Sequence, residues 1–492
     1  GDYFTRICGL GFDTQGPPFN PIVLTKIELP NGQSYQFKYN VYGEITKVTY
    51  PTGAYERFAY GGVAAIQVAS PAYDKANRGV SDRWVSPSGS GGDEIHWTYA
   101  ATRGTTAPYK VTTTAPDTSY TEQYILDEPN PSDVWRPYGF GDKKTGRSYE
   151  DRVYDSSSSH NLLQRKLTAY EATEVATGVN IPYSNLFATR DMRPTKTVSI
   201  IFEPGNSNAL ATMNETVYDT AGNSDPAYFS SLNAKQSKTY HYVVVSASIA
   251  TSATISTAAG WFSGSNLATT TEVDYLYDPN YKARNINGLV TETRVKDATG
   301  NVKAKSQVFY DEAAYPMLTD VSSTRWEDPN SYYRGMVTTR RSWSDITNNL
   351  YVESHAQYDR LGNLRKSWDG KGNLSQIEYS STYDHAYPTK TISPIPGGNG
   401  STTAFETTVV YDYNTGLPTS TTDANGQTTT MEYNDPLLRP TKTTAPNGHQ
   451  TITEYGAGTS ASTRFVKVSS QIDATNWKQA YSWFDGLGRT IK

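Results

Sequence analysis

The sequence contains a single cysteine, Cys8, and only six histidines among its 492 residues. One cysteine allows neither an intrachain disulfide nor a thiolate zinc site. None of the histidines stands in a His-x-x-x-His or His-Glu-x-x-His pair, so metal catalysis has no support. A Gly-x-Ser-x-Gly nucleophile motif is also missing. We therefore predict no catalytic, cofactor-binding or metal-binding residue and expect a protein that is not an enzyme.

Long apolar runs and a strong net charge are missing as well. The longest apolar stretch surrounds Tyr242-Val243-Val244-Val245 and is too short to cross a bilayer, so no membrane span is predicted. The net charge is -5 without a cluster of Lys and Arg, which argues against a nucleic-acid partner. Apolar residues make up 36 % of the chain and the mean hydropathy is -0.61. This composition favours an extended repeat assembly over compact domains.

Aromatic residues are abundant in spite of this polarity: 38 Tyr, 14 Phe and 9 Trp. Tyrosine combines an apolar ring with a polar hydroxyl, so it suits a sheet with one wet and one half-buried face. Disordered segments are poor in aromatic residues and carry more net charge. The composition therefore predicts a folded β-protein.

A repeat of 21 or 22 residues is visible from the spacing of glycine and tyrosine. Three pairs of glycines are ten residues apart, and a tyrosine stands seven residues after a glycine five times. The repeat positions are Tyr39, Gly43, Gly53, Tyr60, Tyr358, Asp359, Gly362, Gly372, Tyr379, Tyr411, Asp412, Gly416, Gly426, Tyr433, Gly448 and Tyr455. Units of this length are typical of repeat architectures.

Each unit is predicted to be two antiparallel strands and two turns. Asn-Gly and Thr-Gly pairs supply the positive φ angles that hairpin turns require. Between glycine and tyrosine, polar and larger apolar residues alternate, as in Gln376, Ile377 and Glu378. The repeated aspartate is predicted to accept backbone hydrogen bonds at the turn, where Asn40 and Asn434 can replace it. In a continuous sheet the closing tyrosines would form a row along one face.

This pattern of tyrosine-aspartate followed by glycine resembles the YD repeat of RHS (rearrangement hotspot) proteins. The clear matches cover residues 30–60 and 358–490. The resemblance implies an all-β fold, in which an extended antiparallel sheet of YD repeats coils into a hollow shell. It further implies a shell segment of a secreted or cell-surface bacterial toxin, with a C-terminal effector domain of the same polypeptide as partner, together with further shell or delivery components.

Two observations qualify the resemblance. The family's shell-closing region carries an Asp-Pro-x-Gly motif with an autoproteolytic aspartate, and this sequence has no such motif. No effector domain is recognisable, and Gly1 is not a start methionine, so we expect a piece of a polypeptide that continues beyond Lys492. The alternative is a surface adhesion or carbohydrate-binding repeat protein, which the aromatic residues would suit.

Along the chain we expect three regions: N-terminal strands and first repeats (1–60), degenerate repeats with loop insertions (61–273), and a repeat array that continues past the C-terminus (274–492). Residues 1–29 are expected to contain a turn at Gly16-Pro17-Pro18 and a buried strand at Ile22-Val23-Leu24. A short helix is predicted from Asp225 to about Ala234. A loop or short helix is predicted around Trp261.

Overall fold

The structure is a computed structural model, and it describes residues 22–62, 78–102, 109–126, 147–174, 189–219, 233–322, 328, 332–397, 403–458 and 462–492. Within these ranges the chain forms one antiparallel sheet of 29 strands. The predicted all-β fold is therefore confirmed. Glycine-containing turns join most of the strands, because glycine adopts the positive φ angles of tight turns without steric cost.

The strands follow one another along the sheet in chain order, so that each hairpin pairs with the next. The first twelve strands are β1 Lys26–Glu28, β2 Ser34–Tyr39, β3 Ile45–Thr49, β4 Tyr55–Gly62, β5 Arg78–Ser86, β6 Ile95–Thr102, β7 Tyr109–Thr114, β8 Tyr120–Ile125, β9 Ser148–Tyr154, β10 Leu162–Glu174, β11 Thr189–Phe202 and β12 Asn208–Tyr218. This meander needs only short connections and places sequence neighbours side by side.

The order changes once, at strands β13 Ala234–Tyr240 and β14 Val243–Ser246, which both pair with β12. The meander then resumes from β13 to β15, Leu267–Leu276. It continues through β16 Leu289–Asp297, β17 Val302–Tyr310, β18 Val337–Asp345, β19 Leu350–Tyr358, β20 Leu364–Trp368, β21 Leu374–Tyr379 and β22 Pro388–Ile392. The remaining strands are β23 Glu406–Tyr411, β24 Pro418–Thr422, β25 Thr428–Glu432, β26 Lys442–Thr444, β27 Gln450–Ala457, β28 Arg464–Gln471 and β29 Trp477–Trp483.

Helical structure is sparse among the described residues. The helices are α1 Ala247–Ser252, α2 Ile255–Ala259 and α3 Pro279–Ala283, with 3₁₀ turns at Gly264–Asn266 and Ser381–Tyr383. Helices α1 and α2 lie just before Trp261, where a loop or short helix was predicted. The helix predicted from Asp225 falls mostly outside the described residues.

The main apolar core lies where α1 and α2 pack on β10, β11 and β12. It contains Leu167, Val198 and Ile200 of the sheet and Ala250 and Ala258 of the helices, all at most 2 % exposed. Alanine on the helices allows close approach to the sheet. Most of the remaining sheet has no comparable core, which explains how so polar a chain forms so many strands.

The predictions for the N-terminal residues can be compared with the first strands of the structure. Residues Ile22 to Leu24 form no strand, and Ile22 and Leu24 are 104 % and 56 % exposed, so the predicted buried strand is wrong. The first strand, β1, begins at Lys26. The predicted turn at Gly16 lies outside the described residues. Strands β4 and β15 run across positions 60 and 273, so the sheet is continuous between the three expected regions.

Candidate functional site

Nine tyrosines at strand ends make the same contact with the sheet. Each hydroxyl donates to a backbone carbonyl in the preceding strand of the sheet, or in the two residues just before that strand, at 2.7 to 3.0 Å. The donors are Tyr39, Tyr60, Tyr170, Tyr218, Tyr275, Tyr310, Tyr411, Tyr433 and Tyr455. Each ring thus ties its own strand to its neighbour at one rim of the sheet.

A β-bulge accompanies most of these tyrosines. The pairing register with the next strand shifts immediately before Tyr39, Tyr60, Tyr310 and Tyr411, for example. A bulge re-aims the side chain and bends its strand. Because the bulges recur at the same rim, they add local bends to the sheet repeatedly in the same place.

The repeated aspartates accept backbone hydrogen bonds at the turns. Asp359 Oδ1 accepts from the amides of Leu361 at 3.0 Å and Asn363 at 2.9 Å. Asp412 Oδ1 accepts from the amides of Asn414 and Thr415 at 3.1 and 2.8 Å. These bonds hold the turn and hold the pKa of the Asp412 carboxyl below its usual range.

Asparagine replaces aspartate in only one of the two places where we expected it. Asn40 Oδ1 accepts from the amides of Tyr42 and Glu44 at 2.9 and 3.1 Å. At the other turn, Asp435 accepts the amide of Leu437 at 2.9 Å, whereas Asn434 donates to a glutamate. The turn there begins one residue later than the repeat spacing suggested.

The predicted glycines lie in turns at both rims of the sheet. Gly43, Gly53, Gly362, Gly372, Gly416, Gly426 and Gly448 all have φ between 71° and 92°. Tyr358 and Tyr379 lie at bulges like the other repeat tyrosines. The predicted residues are spread along the whole sheet, and the structure does not bring them together into one site.

The two faces of the sheet differ in chemistry. Following the pairing from strand to strand, one face, here called the charged face, carries alternating acidic and basic side chains. Its ion pairs include Lys196 and Lys238 with Glu215, Arg294 and Lys296 with Glu272, Arg341 with Glu353, Lys442 with Glu432, and Lys467 with Glu454, at 2.6 to 3.5 Å. The closing tyrosines lie on the opposite face, with many threonines and serines between them.

The charged face is most tightly organised around Glu94. Arg57 donates to both carboxylate oxygens of Glu94 at 2.7 Å, and the hydroxyl of Tyr55 donates at 2.6 Å. These donors lower the pKa of Glu94 to about 2. The Arg57 guanidinium also lies 3.7 Å from the centre of the Trp84 ring, which stacks on His96. The cluster links strands β4 to β6 across the sheet.

The last strands of the sheet contact the first. Gln33 Nε2 donates to the carbonyl of Ala457 at 2.6 Å, although 424 residues separate them. Arg464 donates to the carbonyl of Thr52 at 2.9 Å, and the amide of Gly486 donates to the carbonyl of Pro87 at 2.9 Å. We call this contact the seam; it consists of Gln33, Thr52, Ala54 and Pro87 on one side and Ala457, Arg464 and Gly486 on the other.

The seam is closely packed. Arg464 is 4 % exposed, and its Nε also donates to the carbonyl of Phe484 at 3.2 Å. A side chain at Gly486 would place its Cβ 2.3 Å from the Pro87 oxygen and 2.6 Å from the Ala54 Cβ. Glycine is therefore required there by close approach. These contacts show that the sheet curves back on itself. The first and last strands share no hydrogen-bond ladder in the described part of the chain, so the sheet is not closed.

Comparison with known families identifies the repeat. Residues 411–450, which include Tyr411, Asp412, Gly416, Gly426 and Tyr433, match the family model of the RHS repeat. The chain carries an RHS repeat. No curated protein matches the whole sequence.

The chain is also similar to several solved structures. The crystal structures of TcdB2-TccC3-TEV and TcdB2-TccC3 match with 11 % identity and TM-scores of 0.45 and 0.44, each over 88 % of this chain. The Photorhabdus luminescens Tc holotoxin pore matches with 12 % identity and a TM-score of 0.40 over 94 % of this chain. The chain spans 24 %, 25 % and 19 % of these chains, respectively. Such distant likenesses support no inference about activity.

The seam could not be predicted from the RHS-repeat pattern, because its partners are hundreds of residues apart, even though Gln33, Thr52 and Ala54 each adjoin a turn glycine. The sequence contains a weak indication of the contacts that the tyrosine hydroxyls make. Pro418 and Pro440, whose carbonyls receive the hydroxyls of Tyr433 and Tyr455, each stand 15 residues before their tyrosine. Pro418 is the first residue of β24, and Pro440 stands two residues before β26.

No group of three His, Cys, Asp or Glu side chains is positioned to hold a metal ion in the described ranges. Among those same residues, no helix is both long and apolar enough to traverse a membrane.

Proposed function

We propose that this chain is a non-catalytic part of the wall of a hollow RHS shell, which encloses a toxin or effector domain and helps to deliver it. The seam is the observation that supports this most directly. A flat sheet would separate β2 from β27 by about 120 Å, at about 4.8 Å per strand. Contacts between these strands instead require the sheet to curve through a full turn, and such a turn surrounds a space.

The chemistry of the two faces supports a wall rather than a packed core. Paired acidic and basic side chains occupy one face, and tyrosine, threonine and serine occupy much of the other. Both faces are therefore compatible with water, and helices α1 and α2 cover the main apolar cluster. Because opposite charges are interspersed, the charged face presents no large field of one sign. If the charged face lines the shell, it would surround a folded domain without binding that domain tightly.

The proposed partners follow from this role. The effector would be a C-terminal domain of the same polypeptide, and further shell or delivery components would complete the enclosure. We propose that the shell acts outside the producing bacterium, as a secreted or cell-surface protein. The regions 1–60, 61–273 and 274–492 would be successive parts of one wall, because the sheet is continuous across both boundaries.

Protease protection of the natural full-length polypeptide tests this proposal. We expect the segment downstream of residue 492 to be cleaved at least tenfold more slowly in the full-length protein than when it is expressed alone. Gly486→Val should abolish this protection, because its side chain would clash with Pro87 and Ala54 across the seam. Gly397→Val is the matched control, since a Cβ at Gly397 meets no atom within 4 Å.

Equal cleavage of the downstream segment in both settings would contradict enclosure and favour the adhesion alternative. Circular dichroism at the assay temperature separates an opened seam from an unfolded sheet. The Gly486→Val protein should keep its β-spectrum while it loses protection.

A further inference from the structure

The repeat pattern is interrupted between strands β17 and β18, that is, between Tyr310 and Val337. Within the described residues 311–322, the chain lies along the rim of the sheet where a tight turn would otherwise stand. The amide of Leu318 donates to the carbonyl of Tyr358 at 2.8 Å, and the amide of Arg360 donates to the carbonyl of Leu318 at 3.0 Å. Insertions in repeat proteins often map to a binding surface.

The inserted segment and the sheet enclose a cavity of about 270 Å³. Its walls are mainly apolar and include Ala313, Tyr315, Pro316, Met317, Met336 and Tyr358. Small-molecule sites are concave and mostly apolar, with a few polar groups that fix the ligand. The volume lies near the lower end of the usual range, which suits a ligand with about one ring.

Arg334 is a buried cation in the wall of this cavity, with a side chain only 5 % exposed. Its Nη1 donates to the sulfur of Met317 at 3.0 Å and to the carbonyl of Asp359 at 3.3 Å. Its Nε lies 3.4 Å from Asp328 Oδ2 but makes no hydrogen bond. A thioether is a weak acceptor, and a guanidinium has five N–H donors. Arg334 is thus ion-paired with Asp328, yet its buried Nε lacks a hydrogen-bond acceptor in the described part of the chain.

The acidic residues of the cavity wall are already engaged. The Asp311 carboxylate accepts from the amides of Arg334, Gly335 and Met336 at 2.8, 2.8 and 3.2 Å, and from the Tyr281 hydroxyl at 2.8 Å. Glu312 accepts from the Thr338 hydroxyl at 2.7 Å. Hydrogen bonds from the protein thus engage the Asp311 carboxylate and one oxygen of Glu312, which leaves Arg334 as the charged group that an acidic ligand would meet.

Tyr358 also lines this cavity. Nine repeat tyrosines donate to a neighbouring carbonyl, but the Tyr358 hydroxyl has no such bond within the described residues. Tyr379, in the next unit, also lacks such a bond among the described residues, and the Tyr154 and Tyr240 hydroxyls donate to glutamates instead. A residue that departs from the contact made by its equivalents in other repeats, and that lies beside a cavity, often belongs to a functional site.

We propose that this cavity binds a small organic carboxylate with an apolar body. The carboxylate pairs with the Arg334 guanidinium and accepts a hydrogen bond from the Tyr358 hydroxyl. The apolar body contacts Pro316, Met317 and Met336. Arginine suits this task because its planar donors match the geometry of a carboxylate.

Isothermal titration with phenylacetate, and with the neutral phenylacetamide as matched probe, tests the proposal. We expect saturable binding of phenylacetate and at least tenfold weaker binding of the amide. Tyr358→Phe should weaken phenylacetate binding roughly tenfold, as loss of a hydrogen bond to a charged group implies. Tyr379→Phe should leave it unchanged, and Ala313→Trp, which fills the cavity, should abolish it.

Three results would overturn the proposal: no saturable binding of phenylacetate at millimolar concentration, equal binding of the acid and the amide, or binding that is insensitive to Tyr358→Phe. The conservative Tyr358→Phe change keeps the ring, so a folded variant is expected, and its melting temperature provides the check. None of these results bears on the enclosure proposal, which rests on the seam.

Discussion

The closing tyrosines show how one side-chain atom is used repeatedly to join strands. Tyr433 and Tyr379 hold the same place in their units, seven residues after a turn glycine. The Tyr433 hydroxyl donates to the Pro418 carbonyl at 3.0 Å, whereas that of Tyr379 makes no equivalent bond in the described chain. The pair therefore separates the contribution of the hydroxyl from that of the ring.

We predict that Tyr433→Phe lowers the free energy of unfolding by about 1 kcal/mol, the usual net value of one hydrogen bond. Tyr379→Phe, the matched control, should change it by less than about 0.5 kcal/mol. Denaturant unfolding followed by fluorescence measures both. Equal losses in the two variants would show that the hydroxyl contact does not stabilise the sheet.

A second residue-scale prediction concerns Glu94, whose pKa is lowered to about 2 by its bonds to Arg57 and Tyr55. A lowered pKa means that the charged form stabilises the fold above the unfolded pKa of 4.5. This stabilisation is lost as the pH falls from about 4.5 to about 2. Glu94→Gln should therefore melt below wild type at pH 7, and the gap should shrink towards pH 2.

The control for the pH experiment is Glu203→Gln at an exposed turn. Its melting temperature should follow that of wild type across the same range. A gap between wild type and Glu94→Gln that stays constant down to pH 2 would contradict the assigned role of the Glu94 charge.

At the scale of the hairpin, the turns were the most predictable part of the fold. Gly426 and Gly448 lie in turns because the local sequence alone determines where positive φ is needed, and the alternation beyond them sets the strand faces. Prediction from the sequence was wrong where packing between distant residues determines the structure. Ile22 and Leu24 are apolar, yet both are exposed among the described residues. Helices α1 and α2 pack on the apolar side chains of β10 to β12, which are distant in sequence from part of this contact.

We predict that Gly426→Ala lowers the free energy of unfolding by about 1 kcal/mol, because an L-residue is strained in the left-handed region. Gly426 has a φ of 76° and open space around its Cα, so strain is the main effect. Gly426→Asn should cost less, since asparagine tolerates this conformation. Thermal unfolding of the two variants decides it; an alanine variant as stable as wild type would count against the turn assignment.

At the scale of the whole molecule, curvature arises from features that single units do not reveal. Strand twist and the bulges at the tyrosine rim bend each hairpin slightly. Summed over many strands, these bends bring Ala457 and Gly486 to the turns of the first hairpins. The RHS repeat predicted the sheet, but the number of strands in one full turn and the residues that meet at the seam depend on this accumulated bend.

The distance between the first and last strands is the most direct test of the curved sheet. Spin labels at Glu28→Cys and Ala457→Cys, in a Cys8→Ser background, report it by double electron–electron resonance. We predict a narrow, short distance, close to the reach of the two label linkers. A distance that approaches the roughly 120 Å of a flat sheet, or a decay without any short component, would contradict the curved wall.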